Sequence, residues 1–133
     1  MLFLRVMANE PTGRKKHILV VDDEPTIWQS VQILLEGDEY IVDCASNAAE
    51  AMAMFEPGKF DMVFTDYIMP ETRGDKLAMA IKLLAPKQPV VMITAFPEKL
   101  QSSSCPLGGV DSFICKPFDA DILRRTIARY AGA

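Results

Sequence analysis

Soft metal ligands are scarce in this chain of 133 residues: it has three cysteines and one histidine, with no CxxC and no Cys/His ligand spacing. That argues against a zinc cage. Cys44 and Cys115 fall in apolar, strand-like runs, so the thiols are expected reduced, mostly buried and in a cytoplasmic protein. A GxxxxGK[ST] loop is also missing, which rules out nucleotide binding of that kind. Basic residues do not dominate: 14 Lys and Arg stand against 18 Asp and Glu, a net charge of −4. A surface built to grip nucleic-acid phosphates needs clustered cations, so no direct nucleic-acid contact is expected. No apolar run is long enough for a membrane span. The opening "MLFLRVM" is interrupted by Arg5 and is too short even for a signal-peptide core. Residues 1–16 read as a loose extension, within which Met7 is an alternative start, and residues 17–133 as one domain.

What is present is an alternation. Apolar strand candidates lie at His17–Val21, Tyr40–Cys44, Phe60–Thr65, Pro89–Thr94 and Ser112–Cys115. "ILVV", "MVF" and "VVMI" are continuous, as parallel strands buried on both faces require. "YIVDC" and "SFIC" look like edge strands. Between them run helical stripes. Ile27, Val31, Leu34 and Leu35 form one, stopped by Gly37. Ala48, Met52 and Phe55 form another, capped by Ser46 or Asn47 and ended by Pro57-Gly58. Leu77, Ala78, Ile81 and Leu84 form a third, ended by Pro86. Ile122, Leu123, Thr126, Ile127 and Tyr130 form the last, capped by Asp119. The helix between the fourth and fifth strands is poor: "PEKLQSSSCPLGG" carries three serines, a proline and two glycines, so a short or frayed helix over Glu98–Ser103 is expected. Five such repeats imply a three-layer α/β domain with a parallel sheet and right-handed crossovers.

In such sheets ligands bind outside the carboxyl ends of the strands. There the chain places Asp22 and Asp23 after strand one, Asp66 at the end of strand three, Thr94 at the end of strand four and Lys116 after strand five. Each has an ordinary explanation. Asp22 and Asp23 could serve the dipole of the next helix, with Pro25 in its first turn. Asp66 could open a turn, Thr94 could be a plain strand residue, and Lys116 could be solvated. Those explanations need separate accidents to put all five at one edge. Jointly they read as a phosphoryl site. Clustered carboxylates repel unless a cation intervenes, and Mg²⁺ favours carboxylates, waters and phosphate oxygens. A carboxylate can also accept a phosphoryl group, whose oxygens then need the charge of Lys116 and the hydroxyl of Thr94. Ala95 leaves room for that group. A flavin phosphate is a poorer fit, because "DDEP" would repel it.

With "VVDDEP", "DYIMPETRGDKL", "ITA" and "CKPF" in this order and spacing, the chain resembles the receiver domain of two-component response regulators, from about His17 to Tyr130. The resemblance implies a doubly wound, flavodoxin-like (βα)5 fold with strand order 2-1-3-4-5. It implies Asp66 as phosphoacceptor, with Thr94 and Lys116 assisting. It implies Mg²⁺ (or Mn²⁺) held by the acid pair Asp22 and Asp23, by Asp66 and by the backbone carbonyl of Ile68. Thr94 and Phe113 would be the switch residues, Lys116–Pro117 a cis peptide bond, and Pro70 and Gly74 parts of the loop after the acceptor. The implied partners are a sensor histidine kinase or phosphotransfer protein, a downstream protein or fused output domain, and a second receiver in a receiver–receiver dimer. The implied output surface is the fourth helix, fifth strand and last helix. Ile68 and Phe96 would flank the path of the hydrolytic water, giving slow self-dephosphorylation. Trp28 lies where kinases dock on relatives, or else packs on a neighbouring helix. Arg124, Arg125 and Arg129 form a solvated face, with Asp121 paired to Arg125. A phosphorylation-independent module of the same fold, and an enzyme acting on free substrate, are the competing classes. The intact site argues against the first. Against the second stands the lack of a general base, since His17 opens strand one.

Overall fold

A computed structural model describes residues 15–35, 37, 39–95 and 109–132. The described chain runs β1 (Lys16–Val21), α1 (Pro25–Leu34), β2 (Tyr40–Ala45), α2 (Ala48–Met54), β3 (Met62–Asp66), α3 (Gly74–Leu84), β4 (Val90–Thr94), β5 (Ser112–Cys115) and α4 (Ala120–Ala131). All pairings are parallel, and the order is β2-β1-β3-β4-β5. The expected architecture is therefore the observed one, with β2 and β5 at the edges. The expected helix over Glu98–Ser103 lies outside the described residues, as do Phe96, Cys105 and residues 1–14.

The continuous apolar strands are explained by two cores. Successive side chains of a strand point to opposite faces. Leu19 and Val21 of β1 join Ala48, Ala51, Leu77, Ala78 and Ile81 on the face covered by α2 and α3. Ile18 and Val20 join Val31, Leu35, Leu123 and Ile127 on the face covered by α1 and α4. Every residue of β3 and β4 is buried. Here a strand needs no polar side.

Local signals set most of the helix ends. Asn47 Oδ1 accepts from the Glu50 N–H at 2.7 Å, and Asp119 Oδ1 from the Ile122 N–H at 2.9 Å, so both side-chain caps stand. Lys16, read as extension, is a sheet residue in register with Tyr40. Its Nζ bonds the Ala131 carbonyl at 3.1 Å. Leu84 does not complete the α3 stripe; it is exposed, the helix having turned away from the sheet by its last residue. Cys115 is exposed rather than buried, as the last residue of edge strand β5, and Cys44 is half-buried. Trp28 packs against the sheet cluster. Asp121 pairs with Arg125 at 3.2 Å. Arg124 is more than a solvated charge: it donates to the Leu34 carbonyl at 3.3 Å and lies over the Tyr40 ring. His17 sits at the amino end of β1, bonded to Asp43 at 2.7 Å and edge-on to Phe60. No described helix is long and apolar enough to cross a membrane.

Candidate functional site

The chain moves from β1 out to β2, then back across β1 to β3, so strand order reverses between β1 and β3. A crevice opens at the carboxyl ends of such a reversal. The register fills it. Val21 pairs with Thr65, which sets the next residues, Asp22 and Asp66, side by side. Thr94 pairs with Cys115, which brings Lys116 to the same edge. Lys116 N–H donates to the Thr94 carbonyl at 2.8 Å, and the Lys116–Pro117 bond is cis.

Asp22, Asp66 and Thr94 are buried, whereas Asp23 is exposed. Lys116 Nζ lies 3.4 Å from Asp22 Oδ2 and 3.4 Å from Asp66 Oδ1. Asp22 Oδ1 accepts from the Glu24 N–H at 2.9 Å, and Asp66 Oδ1 from the Tyr67 N–H at 3.0 Å. Glu24 opens α1. It stands at the N-cap position of α1 without a side-chain cap bond, and the Asp22 carboxylate takes up its backbone N–H instead.

The electrostatics follow from burial. Loss of water pushes the Asp22 carboxyl up to about 6, and the neighbouring Asp66 charge adds to this, against the Glu24 N–H and Lys116. Burial likewise raises Asp66, with Lys116 and the Tyr67 N–H opposing. For Lys116 burial acts downward, but the Asp66 and Asp22 charges outweigh it and the net shift is up. The two buried acids are thus under-compensated by one ammonium. Asp22, Asp23 and Asp66 each offer an oxygen, all within 4.8 Å of one another. Hard oxygen donors in a site short of positive charge fit a divalent cation such as Mg²⁺.

The loop after Asp66 is held tightly. Gly74 N–H donates to the Tyr67 carbonyl at 2.8 Å. A Cβ on Gly74 would stand 2.0 Å from the Asp66 carbonyl oxygen, so only glycine fits there. Glu71 has φ of 71°, with the Thr72 N–H bonded to the Pro70 carbonyl at 2.7 Å, a γ-turn. Ile68 is half exposed on this loop. Phe113, in register with Met92, is half-buried on β5 and is not among the residues facing the acids. The residue reading missed two contributors. The Tyr67 backbone N–H aims the Asp66 carboxylate, and backbone donors leave no trace in a sequence. The Thr65 hydroxyl, 3.0 Å from the Asp66 carbonyl, is masked by lying within a strand. Beside Lys116 a groove of about 480 Å³ runs between α1 and the turn into α4, lined by Ile27, Ile33, Leu34, Pro117 and Phe118.

A doubly wound parallel sheet in which three carboxylates and one ammonium meet at the carboxyl ends of the strands defines the class: an α/β domain with an acid pocket at its reversal point. A family model of the "Response regulator receiver domain" matches residues 18–128. The chain belongs to that family, whose members are signalling domains. It is 38% identical over 120 residues to the two-component response regulator ORR1 of Oryza sativa subsp. japonica, covering 81% of this chain and 52% of that protein. The chain thus spans about half the length of that relative. Among solved structures, chemotaxis protein CheY4 of Vibrio cholerae matches with a TM-score of 0.76 and 29% identity, covering 88% of this chain and 99% of that one. Response regulator TrrA of Thermotoga maritima, solved in complex with Mg²⁺-BeF, matches with a TM-score of 0.76 and 30% identity, covering 86% and 98%.

Proposed function

We propose that this chain is a phosphorylation-controlled switch in a His-Asp relay, with Asp66 as the phosphoacceptor. The observation that carries the reading is the meeting of buried Asp66, buried Asp22 and Lys116 at 3.4 Å on one sheet edge. An Asp66 carboxylate oxygen attacks the phosphorus of a partner's phosphohistidine. The P–N bond breaks, and the imidazole nitrogen keeps the electron pair and takes up a proton. Lys116 meets the charge on the phosphoryl oxygens, and the Thr94 hydroxyl donates to one of them. Mg²⁺ held by Asp22, Asp23, Asp66 and the Ile68 carbonyl would neutralise the acid cluster and the phosphoryl charge. Thr94 and Phe113 then report the phosphoryl group to the surface that includes β5 and α4, through a two-state shift. The kinase or phosphotransfer partner is assigned to the apolar groove beside Lys116, where a helix can lie against α1. A downstream protein or a fused domain reads the result. We place the domain at residues 16–133, one residue earlier than the sequence reading because Lys16 belongs to β1, and in the cytoplasm.

The test is incubation with a small phosphodonor and Mg²⁺, followed by intact mass. One phosphoryl group is expected on the wild type and none on Asp66→Asn. A gain that persists in Asp66→Asn overturns the assignment.

A further inference from the structure

One carboxylate outside the acid pocket joins three elements. Asp111, just ahead of β5, accepts through Oδ2 from Lys82 Nζ at 2.9 Å, in the last turn of α3. The same oxygen accepts from the backbone N–H of Val90, the first residue of β4, at 2.8 Å. In return the Asp111 N–H donates to the Val90 carbonyl at 2.8 Å. Two residues earlier the chain lies directly on α3. A Cβ on Gly109 would stand 2.3 Å from Lys82 Cγ and 2.7 Å from the Ala78 carbonyl oxygen. The stem of Lys82 therefore runs beneath Gly109 and delivers its ammonium to Asp111. An isolated surface ion pair stabilises little. This one is part of a charge-assisted pair of bonds from a single carboxylate, with most of the Lys82 side chain covered.

We propose that Asp111 and Lys82 form a clamp that pins the start of β5 to α3 and to the start of β4, making the amino ends of these strands the fixed end of the switch. Thr94 and Lys116 stand at the opposite, carboxyl ends of β4 and β5, and Phe113 lies two residues beyond the clamp. A shift at the phosphoryl end then turns β5 about a held point instead of sliding it along β4. Both clamp residues are positioning residues, since neither touches the acid pocket. The role assigned to Phe113 rests on the switch reading above; the clamp's hold on β5 does not.

Two variants test it. Asp111→Asn keeps an acceptor for the Val90 N–H and loses the charge; Lys82→Met keeps the stem and loses the ammonium. In each, amide exchange over Ser112–Cys115 of the unphosphorylated protein is expected to rise about threefold, the size of one partly exposed ion pair. The double variant should go no further, because both changes remove the same pair. Exchange in β1 and β2 stays at the wild-type rate, and the phosphoryl gain on Asp66 is unchanged. Loading with beryllofluoride and Mg²⁺ should alter β5 exchange less in the variants than in the wild type. Unchanged β5 exchange, additive effects in the double variant, or an equal rise in β1 and β2 overturns the clamp. A wild type that takes no phosphoryl group overturns the switch reading instead, and β5 exchange still decides the clamp.

Discussion

Replacing Gly74 by alanine puts a methyl carbon where no atom fits. The added Cβ would lie 2.0 Å from the Asp66 carbonyl oxygen, 3.0 Å from its carbon and 3.2 Å from Tyr67 Cα. A tolerable carbon–oxygen approach is about 3.3 Å, so the backbones must part by more than about 1 Å. Neither side yields easily. Asp66 ends a fully buried strand, and Gly74 is tied by its own N–H to the Tyr67 carbonyl. Overpacking costs about 1–3 kcal/mol where side chains can give; main chain meeting main chain belongs at or above the top of that range. Alanine's helix preference over glycine returns at most about 1 kcal/mol. The net loss is about 2–3 kcal/mol, or a midpoint lower by about 10 °C for a domain of this size. The displaced strand end also carries the Asp66 carboxylate away from Lys116, so phosphoryl acceptance should fall even well below the melting range. Thermal unfolding by circular dichroism and a phosphorylation time course by intact mass measure the two effects. A Gly74→Ala protein with the wild-type midpoint and the wild-type rate refutes the reasoning.

Three other outcomes are expected. Asp22 has a raised carboxyl, so its protonated form favours the fold: that contribution is full below the ordinary value of 3.8 and is lost as pH rises through about 6. The net shift of about two units, with the attraction of Lys116 already in it, bounds the cost at about 3 kcal/mol, so metal-free Asp22→Asn should be more stable by up to about 3 kcal/mol at pH 7 and no more stable below about pH 4. Urea unfolding in chelator across that range checks this, and a pH-independent difference refutes it. Glu71→Gly relieves a positive-φ residue and should add about 1 kcal/mol, read by the same unfolding; a variant no more stable than the wild type refutes this. Ile68→Asn opens the rim and places a polar group by Asp66, so the phosphoryl group should decay faster; an unchanged decay rate sinks the steric account of Ile68.

Much of the fold was legible because a strand buried on both faces must be apolar throughout. "ILVV", "MVF" and "VVMI" have no other good explanation in a chain with amphipathic stripes between them. Edge strands betray themselves by mixed composition, as "YIVDC" and "SFIC" do. Capping was legible where a side chain does the work, at Asn47 and Asp119, and not at Glu24, where a backbone N–H is satisfied from Asp22. Leu84 and Cys115 were misplaced for one reason: periodicity says which residues share a face, not where the neighbouring layer ends.

By itself the sequence determined that acids, a hydroxyl and a lysine fall just past strand ends, because covalent order alone puts them there. Only the tertiary structure decided that Asp22 and Asp66 are neighbours, through the Val21 to Thr65 register across β1 and β3. It alone decided that both are buried and short of positive charge, since burial depends on what packs from outside the local chain. The same holds for Gly74 and Asp111, whose roles are distances to residues far away or on other elements. A spacing can bring such groups into reach; only the packed sheet and helices determine whether they meet.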